Sequence, residues 1–109
     1  MRIKLEEAVS HKKLKAVISG VLRRHKYKPH WEHVFSGGRK RRGLVYIMPR
    51  LEYTSVYVPG IFGKKKIDFR IPAVDGKFED VDYLDYHGYA VSDSVLIEVE
   101  RKLKDGKTE

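Results

Sequence analysis

Lys66 to Ile71 alternates without exception: Ile67, Phe69 and Ile71 fall on one side of an extended chain, and Lys66, Asp68 and Arg70 on the other. A period of two requires a strand with one face turned to a core and the other to polar surroundings. Pro72 has no amide proton for a ladder and ends it. Such a strand must pair with others, and the chain supplies them. Leu51 to Val58 is rich in β-branched and aromatic residues and closes on the turn pair Pro59-Gly60. Pro49 separates this run from Leu44 to Met48, so two strands with a short connection are expected.

One segment has a different period. Leu14, Val17, Ile18, Val21 and Leu22 recur at the spacing of one helical face, and Ser10 can cap the helix they define, from about His11 to Lys26. Leu5, Ala8 and Val9 extend the pattern backward to Ile3, with Glu6 and Glu7 in a favourable first turn, and the longer helix is the reading adopted here. Gly20 lowers helix stability relative to alanine, which points to close packing at that position. Pro29 is expected to end the helix. Beyond it, His30 to Phe35 alternates as a strand that can pair with Leu44 to Met48 as a hairpin. Phe78 to His87 fits a short acidic helix and a strand equally well. After a turn at Ser92-Asp93-Ser94, Val95 to Arg101 reads as a last strand with Val95, Ile97 and Val99 in the core.

These readings combine into an α+β fold: an N-terminal amphipathic helix packed on one face of a mostly antiparallel five- or six-stranded sheet. Leu14, Val17, Ile18, Val21, Ile67, Phe69, Ile97 and Val99 are the expected core. At 109 residues the chain makes one domain, 1–109, with 104–109 a frayed tail. The absence of cysteine excludes disulfides, thiol nucleophiles and cysteine-ligated zinc. No apolar run reaches the roughly 20 residues that span a bilayer, and Met-Arg-Ile-Lys-Leu-Glu-Glu lacks a signal peptide's apolar core. A cytoplasmic location without membrane partners is the expectation. Abundant lysine and arginine with no cysteine also fits a thermophilic source.

The formal net charge of +8 conceals a division along the chain. Residues 1–74 hold 18 Lys and Arg against 5 Asp and Glu, and residues 75–109 hold 5 against 10. A basic surface beside an acidic patch follows. Three basic stretches precede residue 74: the helix end at Arg23, Arg24 and Lys26; Arg39, Lys40, Arg41 and Arg42, set between glycines; and Lys64, Lys65 and Lys66. Gathered on one surface, they would neutralise several backbone phosphates. Tyr53 and Tyr57 share a strand face and can stack on unpaired bases. The function expected from these residues is binding of nucleic acid, DNA or RNA, without an enzymatic step or cofactor.

Two alternatives draw on other residues. Asp68 followed by Glu100-Arg101-Lys102 resembles the motif of restriction-enzyme-like nucleases, an aspartate on one strand and Glu-x-Lys on the next. The resemblance implies a Mg²⁺ site at Asp68, Glu98 and Glu100, with Lys102 stabilising developing charge. That family continues with a helix and another strand, whereas seven residues follow Lys102. The acidic run Glu79, Asp80, Asp82 and Asp85 with His87 lacks the glycine-centred spacing of a calcium loop, and His30 and His33 would face opposite sides of a strand. The other alternative is a protein-protein interaction module, a homodimer formed through edge strands or oppositely charged faces.

Overall fold

The computed structural model describes residues 1–29, 43–89 and 93–104. Strand β1 (Arg2–Val9) is followed by helix α1 (His11–Arg24), a two-residue strand β2 (Lys28–Pro29), β3 (Leu44–Pro49), β4 (Tyr53–Pro59), β5 (Lys65–Pro72), β6 (Val81–Tyr86) and helix α2 (Asp93–Lys104). The fold is α+β. Five strands form an antiparallel sheet in the order β1-β6-β5-β4-β3, and β2 adds a short parallel pairing outside β3. Among the described residues no helix is long and apolar enough to cross a membrane.

Both helices lie on one face of this sheet. Leu14, Ile18, Val21 and Leu22 of α1 and Val95, Leu96, Val99 and Leu103 of α2 join one buried cluster with Val56, Val58, Ile67, Phe69, Ile71 and Leu84 from the strands. Phe69 meets Tyr86 edge-on, with ring centroids 4.9 Å apart. The alternation of Lys66 to Ile71 therefore does what its period requires, and Val17 packs at the margin of the cluster.

Several expectations change. Residues 2–9 are a strand, because β1 pairs with the distant β6, placing Arg2 opposite Asp85 and Ile3 opposite Leu84. Ser10 is the true N-cap: its backbone is extended and its Oγ accepts the Lys13 N–H at 3.1 Å, which stops the helix from running backward. The helix ends before Pro29. Lys26 takes the left-handed conformation (φ 72°), and the amides of Lys26 and Tyr27 donate to the carbonyls of Arg23 and Leu22. This closing motif usually places glycine where Lys26 stands. A Cβ on Gly20 would meet nothing within 4 Å, so close packing does not explain that glycine. The ambiguous stretch resolves as β6, which sends Leu84 and Tyr86 into the core.

The largest correction concerns 95–101, which is helical. Val95, Leu96, Val99 and Leu103 follow helical spacing, and they are buried, whereas Ile97 is 54% exposed and leaves the expected core. The strand expected over 30–35 and its hairpin tip lie outside the described residues, as do 105–109 of the expected tail, whereas Lys104, its first residue, is the last residue of α2.

His11, the first residue of α1, is buried, with the Pro72 carbonyl near its ring but no hydrogen bond of good geometry to either ring nitrogen, and it packs on Phe78 with ring centroids 5.3 Å apart. Burial pushes its pKa below the ordinary value of 6.5; the Pro72 carbonyl opposes this, Lys15 adds to it, and Asp80 opposes it.

Two outcomes follow from this architecture. Val99→Ala should lower unfolding free energy by about 2 kcal/mol and Ile97→Ala by no more than about 0.5 kcal/mol in denaturant titrations, since only the first opens a cavity. Equal effects would contradict the helix. For His11, the unfolded chain binds the proton more readily, so stability should fall as pH drops below about 6.5 toward the lowered folded pKa. His11→Gln should remove that part of the slope, measured as the difference between the two unfolding midpoints at pH values from 8 to 5 or so.

Candidate nucleic-acid interface

The ends of the sheet differ in charge. Helix α1 delivers Arg23, Arg24 and Lys26 to one end. There the Lys28 amide donates to the Gly43 carbonyl at 3.0 Å, and Lys28 stands opposite Leu44. The two attachment points of residues 30–42 are thus fixed at this end, although Arg39, Lys40, Arg41 and Arg42 themselves lie outside the described residues. Tyr46 opposite Tyr57 sets the register of β3 on β4, which brings the start of β3 beside Pro59. Pro59 in turn stands opposite Lys65, placing Lys64, Lys65 and Lys66 at the same end. Lys66 Nζ lies 5.5 Å from the ring centroid of Tyr27, joining the start of β5 to the chain leaving α1.

The other end is mixed: Lys13 and Lys104 lie beside Glu6, Glu7 and Asp80, Lys77 beside Glu79 and Asp82, and Arg50 in the turn next to Glu52. Glu52 precedes β4, Asp75 follows β5, Glu79 and Asp80 precede β6, and Glu6 and Glu7 occupy the second half of β1. In the acidic run near β6, Asp85 pairs with Arg2 at 3.0 Å.

At the basic end the cations are not equivalent. Arg24 donates from Nε to Glu98 of α2 at 2.6 Å, and His25 Nε2 lies 3.2 Å from the same carboxylate. Partial burial would raise the Glu98 pKa, but the hydrogen bonds from Arg24 and His25 outweigh it and hold the carboxyl below its usual range. Arg24 therefore has a partner within the fold. Arg23, Lys26, Lys28 and Lys64 are exposed and form no ion pair among the described residues.

The sheet face opposite the helices carries a second polar group. Asp68, 1% exposed, accepts from Ser55 Oγ at 2.5 Å and from Arg70 Nε at 2.9 Å, and Lys65 Nζ stands 3.9 Å from its Oδ2. A register irregularity between Val58 and Pro59 interrupts the alternation at the start of β5. Lys65 there reaches Asp68 and the ring of Tyr57, at 4.6 Å, while Lys66 reaches Tyr27 beside α1. Tyr57 is buried and stacked on Tyr46, with centroids 5.7 Å apart. Tyr53 shares its face, as expected, and lies under the Arg70 guanidinium at 4.6 Å. Neither tyrosine offers an unoccupied ring: Tyr57 is enclosed, and Tyr53 stands at the far end of β4 from the lysines.

The nuclease constellation does not assemble. Asp68 faces away from the helices, whereas Glu98 and Glu100 belong to α2, two positions apart on a helix and so pointing in different directions. Glu98 is held by Arg24 and His25, and Glu100 pairs with Lys104 at 3.6 Å. Lys102 lines the groove between α1 and α2 beside Lys13 and Gly20. Among the described residues no three His, Asp or Glu side chains are grouped to hold a metal ion. His30 and His33 lie outside the described residues.

Sequence reasoning missed Lys28, whose place follows from pairing with residues 43 and 44, and the Ser55-Asp68 contact, which depends on strand register. Compared with protein families, curated proteins and solved structures, the chain gives no match to any of them.

Asp68 is the residue on which this polar group turns. Asp68→Ala should cost about 2 kcal/mol, because it leaves Lys65 and Arg70 close together without their common counter-charge, while Ser55→Ala should cost about 1 kcal/mol for one hydrogen bond. Urea titrations that give Asp68→Ala wild-type stability would show that the carboxylate is dispensable to the fold.

Proposed function

We propose that this protein binds nucleic acid, DNA or RNA, by clasping the phosphate backbone at the basic end of its sheet. The observation that carries this reading is the meeting of Arg23, Lys26, Lys28 and Lys64 at one end, with both attachment points of the segment bearing Arg39 to Arg42. Like charges brought together lower stability, and among the described residues Glu6, Glu7, Glu52, Asp75, Glu79 and Asp80 lie too far off, at the opposite end, to relieve them. Phosphates relieve the repulsion by releasing condensed counterions, a gain that grows with the number neutralised.

Backbone geometry at Lys26 supports the same reading. A left-handed non-glycine residue is disfavoured by about 1 kcal/mol, and such strain tends to survive where a side chain is wanted for binding. Lysine contacts to phosphate fix position and carry no sequence information, so the expected binding is insensitive to sequence. A cytoplasmic location belongs to the same reading.

Affinity for a short duplex or single strand should fall with rising salt by about one power of concentration per phosphate neutralised. Replacing Lys26, Lys28 and Lys64 together by alanine should flatten that slope by about two to three and weaken binding to all sequences, and Arg39, Lys40, Arg41 and Arg42 replaced together should add to the effect. Lys26→Gly separates function from fold: it should raise the thermal midpoint by a few degrees or so while lowering affinity. A wild-type chain that binds neither DNA nor RNA at low salt would overturn this function and favour the interaction module, read as the oligomeric state in solution.

A further inference from the structure

Phe62 stands at the tip of the turn between β4 and β5, 92% exposed, with φ 54° and ψ 36°. Two features are unfavourable at once: a large apolar ring almost wholly in water, and a side chain in a left-handed conformation better suited to glycine or asparagine. Neither contributes to folding. Gly63 follows with φ 72°, and Ile61 beside Phe62 is also exposed.

The turn is firmly built. Gly60 N–H donates to the Lys64 carbonyl at 2.8 Å and Lys64 N–H to the Ile61 carbonyl at 3.0 Å. Ile61 N–H donates to the Tyr89 hydroxyl at 3.2 Å, and a Cβ on Gly60 would lie 2.3 Å from that hydroxyl oxygen. The Tyr89 ring thus lies directly over Gly60, where a larger residue would push it aside. The chain after β6 is held as closely, since a Cβ on Gly88 would lie 2.5 Å from the Lys66 carbonyl. Phe62 is presented from a hydrogen-bonded turn, with Lys64 two residues on and Lys26 and Lys28 at the same end of the sheet.

We propose that Phe62 is a stacking wedge for an unpaired nucleobase, flanked by Lys64 and Lys28 on the adjoining phosphates; this rests on the nucleic-acid reading above. The surroundings select a base over other apolar partners. The lysines repel basic surfaces and attract a polyanion. A base offers a flat π-face, and fixing the ring in advance reduces the ordering cost of stacking on it. An acyl chain makes no demand on ring orientation, so a hydrogen-bonded left-handed turn brings nothing to membrane insertion. Single strands expose bases without an unpairing cost, so the wedge should favour them over a duplex.

The test is fluorescence anisotropy of labelled oligo(dT) and oligo(rU) with the full chain, across a salt series. Phe62→Ala should weaken single-strand binding roughly 5- to 100-fold, with the salt slope unchanged and the thermal midpoint within about 2 °C of wild type. Lys64→Ala should instead reduce the slope by about one. Phe62→Trp should bind as tightly as wild type, with additional indole quenching on addition of oligonucleotide. If the wild type shows salt-dependent binding and Phe62→Ala binds equally well, the wedge is wrong and the basic surface stands. If the wild type binds neither oligonucleotide nor duplex at low salt, both fail. Loss of binding by Phe62→Ala to mixed phosphatidylcholine and phosphatidylserine vesicles, with oligonucleotide binding intact, would make the tip a membrane contact and overturn the proposal.

Discussion

Val56 and Val58 on β4 and Ile67, Phe69 and Ile71 on β5 are covered from one side by both helices, and their pairing is the longest ladder in the sheet. Burial of this kind stabilises by about 25 cal/mol per Å² of apolar surface, which makes the β4–β5 pair the platform on which the helices are placed. Register on that platform then fixes the other face as well. With Val56 opposite Phe69, Ser55 must stand opposite Arg70 and Tyr57 opposite Asp68. The polar group around Asp68 is a consequence of apolar packing on the reverse side.

The same pairing places the charges. Because β4 and β5 are antiparallel, the turn bearing Phe62 and the lysines lies at one end of the sheet, and the segments bearing Glu52 and Asp75 lie at the other. Helix α1 returns from the mixed end to the basic one, carrying Arg23 and Arg24 with it. Among the described residues Glu98 of α2 pairs with Arg24 and His25, and Asp68 lies near Lys65, so repulsion at the basic end is relieved in part.

Lys26 and Phe62 connect these themes. Both are left-handed non-glycine residues, and both lie at the basic end, where cationic and apolar side chains are presented outward. Asp75, a third such residue, is of a type that tolerates this conformation and occupies a turn at the opposite end. At Lys26 the left-handed backbone closes α1, and what the fold leaves unexplained is the choice of lysine over glycine there.

The sequence by itself determined the elements whose periodicity admits one reading: the helix over 11–24 though not where it starts, the strands at 44–48 and 66–71, and the basic stretches available to a polyanion. It also contained Gly-Ile-Phe-Gly, a short apolar pair inside a turn, although nothing local shows that Phe62 remains uncovered. Tertiary structure decided the rest. Residues 3–9 carry helical spacing, yet become a strand because β6, some eighty residues away, offers a ladder and a place for Ile3 against the core. Val95 to Val99 alternates like a strand, yet Val95, Leu96, Val99 and Leu103 also share a helical face, and covering Leu84 and the flank of α1 requires that face. Where two periods coexist, local propensities differ by only tenths of a kcal/mol per residue, while burying a large side chain is worth about 1.5–3 kcal/mol. The nuclease pattern failed for the same reason: Asp68 and Glu100 meet only if 95–101 is a strand, and packing made it a helix.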